Sequence, residues 1–127
     1  MLAFEGDTGP YLQYAHARVR SIFRRAGVAP PAPGAVPLLR EPQERGLALH
    51  LLGFAAAVEA TAETFSPSKL CTYLFELATS FTTFYEACRV LVDDVALRDS
   101  RLGLCDLTAR VLELGLSLLG IEAPEQM

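Results

Sequence analysis

The side chains with a chemical use that cluster most tightly lie near the start of the chain. Arg18, Arg20, Arg24 and Arg25 are interleaved there with Tyr11, Tyr14 and His16. Guanidinium groups pair with phosphate, and tyrosine rings offer flat faces to unstacked bases, which is how single-stranded RNA loops are held. On a helix, where each residue advances about 100°, Arg18 and Arg25 fall near one side with Tyr11 and Tyr14 not far from it, so cation and aromatic face one ligand. A second reading needs no ligand. Arg24 and Arg25 complement the negative end of a helix, and the stems of Arg18 and Arg20 cover apolar surface. Residue types alone leave both readings open.

No constellation for catalysis accompanies this cluster. His16 has no partner in the pattern that would make it a general base, and an interface or surface role is expected of it. The carboxylate pairs Glu59/Glu63 and Asp93/Asp94 read as solvated faces of an acidic chain. There is no glycine-rich phosphate loop, no His-Glu-x-x-His and no nucleophile elbow. Cys71, Cys88 and Cys105 are odd in number and widely spaced, and only His16 and His50 accompany them, so no metal site is expected. Apolar neighbours make each a reduced thiol serving as a small hydrophobe. No catalytic residue and no cofactor is assigned to the chain itself.

Composition narrows the classes further. With 127 residues the chain holds one domain with a substantial core, taken as residues 1–127. Its hydrophobic fraction is 51%, yet no apolar run approaches the roughly 20 residues that span a bilayer. The opening Met1-Leu2-Ala3-Phe4-Glu5-Gly6-Asp7 lacks both the basic flank and the apolar core of an export leader, so a cytoplasmic location and no membrane partner are expected. A net charge of −4 argues against an RNA-binding surface until its distribution is seen. Between Thr8 and Arg40 stand five arginines and no Asp or Glu; the rest of the chain is acidic.

The elements that must position these residues are helices. Pro10 suits a first helical position with Thr8 or Gly9 as cap, and the apolar spacing from Tyr11 to Phe23, stopped by Gly27, predicts a helix over 10–26. Residues 28–40, with Pro30, Pro31, Pro33 and Pro37, form an extended Pro/Ala-rich connection. Glu41-Pro42 reopens helix through about residue 64, divided or bent at Gly53. Ser66-Pro67 starts the strongest helix, its apolar stripe running from Leu70 to Leu91. A last helix begins around Asp99 and Ser100 and ends at Gly120, with Pro124 preventing its resumption. No period-two alternation is sustained. The fold class is all-α: a helical bundle over 41–120, the helix 10–26 beside it, and a tail over 121–127.

Gly6-Asp7-Thr8-Gly9-Pro10-Tyr11-Leu12-Gln13-Tyr14-Ala15-His16-Ala17-Arg18-Val19-Arg20-Ser21-Ile22 closely resembles the segment by which arginyl-tRNA synthetases pass from catalytic to anticodon-binding domain. The pattern Pro67-x-x-Leu70-x-x-Tyr73-Leu74-x-x-Leu77-Ala78-x-x-Phe81-x-x-Phe84-Tyr85-Glu86-x-Cys88 resembles that domain's long helix. Arg101-Leu102, Thr108, Val111-Leu112, Gly115-Leu116 and the ending Pro124-Glu125-Gln126-Met127 are similar to its last helix and terminus. Only residues 28–40 lack a matching pattern.

The resemblance implies the helical bundle of class I synthetase anticodon-binding domains, and binding of an arginine-specific tRNA through its anticodon loop. It implies contacts to splayed bases at Tyr85 and Met127. A tyrosine ring is a stacking platform, and a methionine at the end of a chain is a flexible apolar pad with a carboxylate beside it. Arg18, Arg25 and Arg20 would face phosphate or a neighbouring domain, with Tyr14 close by. The parent activity is ATP- and Mg²⁺-dependent arginine–tRNA ligation. The family's His-Ile-Gly-His-type and Lys-Met-Ser-Lys-Ser-type signatures are absent, so this chain is not expected to activate arginine alone; the catalytic domain is an implied partner. The alternative reading is a free-standing helical interaction module that self-associates through 10–26, a face that would otherwise lie against the catalytic domain.

Overall fold

The computed structural model describes residues 8–32, 34 and 36–127. Residues 1–7, where no export leader was expected, and Pro33 and Ala35 of the connection lie outside the described residues. Five helices follow in order: α1 (Thr8–Ala26), α2 (Pro42–Leu52), α3 (Phe54–Thr64), α4 (Pro67–Ala87) and α5 (Val95–Leu118). Among the described residues there is no strand, and the all-α reading holds. Among the described residues no helix is long and apolar enough to cross a membrane.

Helix α4 is the axis of the bundle and touches each of the other four. Its stripe Leu70, Leu74, Leu77, Phe81 and Phe84 is buried and meets Leu12, Val19 and Ile22 of α1, Leu47 and Leu51 of α2, and Leu112 and Leu116 of α5 in one core. Helix α1 runs parallel to α4, because Tyr11 meets Phe75 and Arg18 meets Thr82 at the same offset along both helices. It runs antiparallel to α5, with Arg20 bonded to Asp106 and Gly9 lying under Ile121. Where α4 and α5 cross they approach closely, for a Cβ on Gly115 would stand 2.6 Å from Leu74 Cδ2.

Helix α1 starts at Thr8, so Pro10 occupies its first turn rather than its first position. Gly27, at φ 67°, ends it: the Gly27 and Val28 N–H groups both donate to the Phe23 carbonyl. At Gly53 the chain divides α2 from α3, as the glycine suggested, and Tyr73 fixes the junction by donating its hydroxyl to the His50 carbonyl at 2.6 Å. Two expected boundaries move. Helix α4 stops at Ala87 although its stripe continues to Leu91, because Cys88 turns extended and Arg101 Nη1 donates to the Arg89 carbonyl at 2.6 Å. Helix α5 starts at Val95, capped by Asp94, whose carboxylate accepts from the Ala96 and Leu97 N–H groups. Ser100, around which this helix was expected to begin, is instead buried inside α5 and accepts from the Leu38 N–H at 2.9 Å, tying the Pro/Ala-rich connection to that helix.

Arg101 also enters a buried ion pair. Its Nε donates to Glu44 Oε2 at 3.1 Å and its Nη2 to Glu44 Oε1 at 3.3 Å, while Oε1 also accepts from the Glu41 N–H at 2.8 Å, the return half of a capping box. Burial alone would push the Glu44 carboxyl up; the bonds from Arg101 and from the Glu41 backbone, with the Arg101 charge, hold it below the usual carboxylate range. This pair joins α2 to α5 and to the turn after α4.

Candidate nucleic-acid interface

Helix α1 buries Leu12, Val19, Ile22 and Phe23 and leaves two flanks for other work. On the flank facing α4, Tyr14 is 60% exposed, and one turn on, Arg18 reaches across to donate to Thr82 Oγ1 at 3.3 Å. Tyr11, Tyr14 and Arg18 line a shallow groove with Phe81 and Thr82 of α4. Tyr85 lies one helical turn past Phe81 and stacks its ring on the buried phenyl at 5.8 Å and 16°, remaining 39% exposed. The core ring beneath holds the Tyr85 side chain in orientation while its outer part meets solvent. Tyr14, Arg18 and Tyr85 thus lie along one α1–α4 seam. Arg25 continues it two turns beyond Arg18, exposed, its Nη2 donating to Ser21 Oγ at 3.2 Å.

Arg20 is placed differently. It faces α5 and donates to Asp106 Oδ1 at 2.7 Å, both side chains 17% exposed, so its charge is already paired. Arg24 donates to the Glu125 carbonyl at 2.8 Å. His16, expected at an interface or on the surface, is 1% exposed and bonds through Nδ1 to the Pro124 carbonyl at 3.1 Å. Gln13, which the pattern did not single out, donates to the Glu122 carbonyl at 2.8 Å. The tail so held carries Met127, 66% exposed. The structure therefore sets Tyr14, Arg18 and Arg25 on one flank of α1, beside the part of α4 that carries Phe81 and Tyr85, and attaches the segment bearing Met127 to the other.

Thr82, Phe81 and Gln13 complete the arrangement without having been given a role in it from sequence, and Arg24, read as one of the basic cluster or as a complement to the helix end, holds the tail instead. The 100° rule finds residues that share a helix face, whereas these bonds join positions 64 to 109 residues apart. Among the described residues of α1, the large hydrophobic side chains left exposed are Tyr11 and Tyr14. The three thiols are buried and their pKa values raised by desolvation, that of Cys105 to about 12 with Asp106 adding to the shift. Among the described residues no three His, Cys, Asp or Glu side chains converge as metal ligands would.

A surface of aromatic rings and guanidinium groups on two helices suits an RNA loop, and likeness to known proteins decides the family. The model of the family described as the DALR anticodon binding domain matches residues 12–127. The chain belongs to that family. This DALR domain is 55% identical over its whole length to an arginine–tRNA ligase of Thermobifida fusca and 52% identical to one of Cellvibrio japonicus, covering 22% of each. Among solved structures it is similar to the arginyl-tRNA synthetase of Thermus thermophilus, with a TM-score of 0.81 and 47% identity over 98% of the chain, and to that of Plasmodium falciparum, with a TM-score of 0.80 and 33% identity over 97%. In both the domain corresponds to 22% of the longer chain. It therefore spans about a fifth of the proteins it matches, in their C-terminal region.

Proposed function

We propose that the chain binds the anticodon loop of tRNA, with preference for an arginine tRNA, as the anticodon-binding part of an arginine–tRNA ligase. The observation that carries this reading is the α1–α4 seam, where Tyr14 and Arg18 line a groove with Phe81, the ring on which Tyr85 stacks, on a domain of a family described by anticodon binding. Tyr85 supplies the stacking face, held in place by Phe81. Arg18 and Arg25 supply cations for phosphate oxygens, and Thr82 keeps the Arg18 guanidinium over the seam until a phosphate takes it. Arg20 serves the fold, holding α1 against α5 through Asp106. Met127 offers a second apolar contact from the tail side.

The domain does no covalent chemistry in this account. Its task is selection: binding energy at the anticodon loop directs the correct tRNA to a catalytic domain elsewhere in the parent enzyme. ATP and Mg²⁺ would belong to that other domain, where the parent enzyme's chemistry lies. A cytoplasmic location follows from the same reading.

Replacing Tyr85 with Ala tests the assignment. The loss of one stacked base is expected to weaken binding of an arginine-tRNA anticodon stem-loop by about 1–3 kcal/mol, with helical circular dichroism and melting temperature little changed. Unchanged binding, or binding and helicity lost together, would take Tyr85 out of the interface.

A further inference from the structure

After Gly120 ends α5, residues 121–127 run along α1 with neither helix nor strand of their own. Their groups alternate. Ile121 and Ala123 pack against the core, while the carbonyls of Glu122, Pro124 and Glu125 are taken by Gln13 Nε2 at 2.8 Å, His16 Nδ1 at 3.1 Å and Arg24 Nη1 at 2.8 Å. At about 100° per residue the three donors fall on one side of α1, away from Tyr14 and Arg18. A carbonyl only accepts, so His16 carries its proton on Nδ1, toward the tail.

His16 is 1% exposed, and its other ring nitrogen, Nε2, is buried without a hydrogen-bond partner among the described residues. An apolar residue in its place would avoid the cost of that unpaired acceptor; what the histidine adds is the bond to Pro124. The grip falls wholly on the backbone, so it fixes the course of the tail whatever side chains the tail carries. The residue it carries forward, Met127, is presented at the surface rather than packed.

We infer that Gln13, His16 and Arg24 are positioning residues: they clasp the tail to α1 and so deliver Met127 to the bound RNA loop, without Gln13 or His16 touching RNA. The clasp is read from the structure, whereas the delivery rests on the anticodon-loop reading. Tail order and RNA binding are therefore measured separately.

The test uses the full 127-residue chain. Gln13 is neutral and partly exposed, so Gln13→Ala alters neither core nor charge. Backbone ¹⁵N heteronuclear NOE values for 121–127 report tail order, and titration with an arginine-tRNA anticodon stem-loop reports affinity. Gln13→Ala is expected to lower the NOE values from Glu122 onward and to weaken binding about fivefold, the equivalent of one net hydrogen bond, with an unchanged salt slope. Met127→Ala is expected to weaken binding as well, and the double variant to bind no more weakly than Met127→Ala alone. A tail equally ordered in Gln13→Ala would overturn the clasp, and losses that multiply in the double variant would overturn the delivery of Met127. If the unaltered chain binds no stem-loop, the anticodon reading and the delivery fail together, while the NOE comparison still decides whether the clasp exists.

Discussion

At the scale of single residues, the most consequential group outside the seam is Glu44, wholly buried and bonded to Arg101 and to the Glu41 N–H. Its folded-state pKa lies below the ordinary value of 4.5, so the folded chain keeps the carboxylate charged at pH values where the unfolded chain has begun to protonate it. The stability it contributes is full above that value and is lost as pH falls toward the folded pKa. Glu44→Gln is expected to abolish this acid-sensitive component and to cost about 3–5 kcal/mol at neutral pH, because the Arg101 charge is left buried and unpaired. Urea unfolding at pH 7 and along an acid series measures both; a midpoint equal to that of the unaltered chain would show the pair to be dispensable. The cysteines make a quieter prediction. With Cys105 pushed up to about 12 and all three thiols buried, a disulfide reagent at pH 8 should label none in the folded chain and three after unfolding.

At the scale of elements, Gly115 and Gly46 separate packing from propensity. A Cβ on Gly115 would stand 2.6–3.1 Å from three atoms of Leu74, a side chain with no room to withdraw, so Gly115→Ala should lower stability by about 1–2 kcal/mol. Nothing lies within 4 Å of a Cβ on Gly46, so Gly46→Ala should raise stability by about 1 kcal/mol through helix propensity alone. Thermal melts of the two variants moving the same way would contradict this account of the α4–α5 crossing. The helices themselves were legible because apolar residues recur at three-and-four spacing and most helix ends lie beside a glycine or proline; the end of α4 and the start of α5 have neither. Their misread ends have non-local causes. The α4 stripe runs on to Leu91, but the Arg89 carbonyl is claimed by Arg101 from the next helix. Ser100 stands where the last helix was expected to begin, but its hydroxyl serves Leu38. The site was legible in the same measure: the shared face of Tyr14 and Arg18 follows from helix geometry. Tyr85 was singled out only through family resemblance, and its nearness to them, like the part of Thr82, comes from the fold alone.

At the scale of the whole molecule, an acidic chain carries a basic strip. Its net charge is −4, yet α1 bears Arg18 and Arg25 on its α4 flank, with no Asp or Glu between Thr8 and Arg40. The helix order turns that strip toward Tyr85, because α1 runs parallel to α4 in the register set by Tyr11/Phe75 and Arg18/Thr82. Phosphate contacts from so few cations give modest, salt-sensitive affinity, the logarithm of the binding constant falling by about 0.7 per neutralised phosphate for each tenfold rise in salt. On the proposed reading, selectivity would then come from bases stacked on the seam. The most direct measurement is a titration of the chain with an arginine-tRNA anticodon stem-loop beside one of the same stem with a scrambled loop, at low and moderate salt. Tighter binding of the authentic loop, weakening as salt rises, is the expected result. Equal affinity for both loops, or affinity indifferent to salt, would contradict an anticodon-reading surface on α1 and α4.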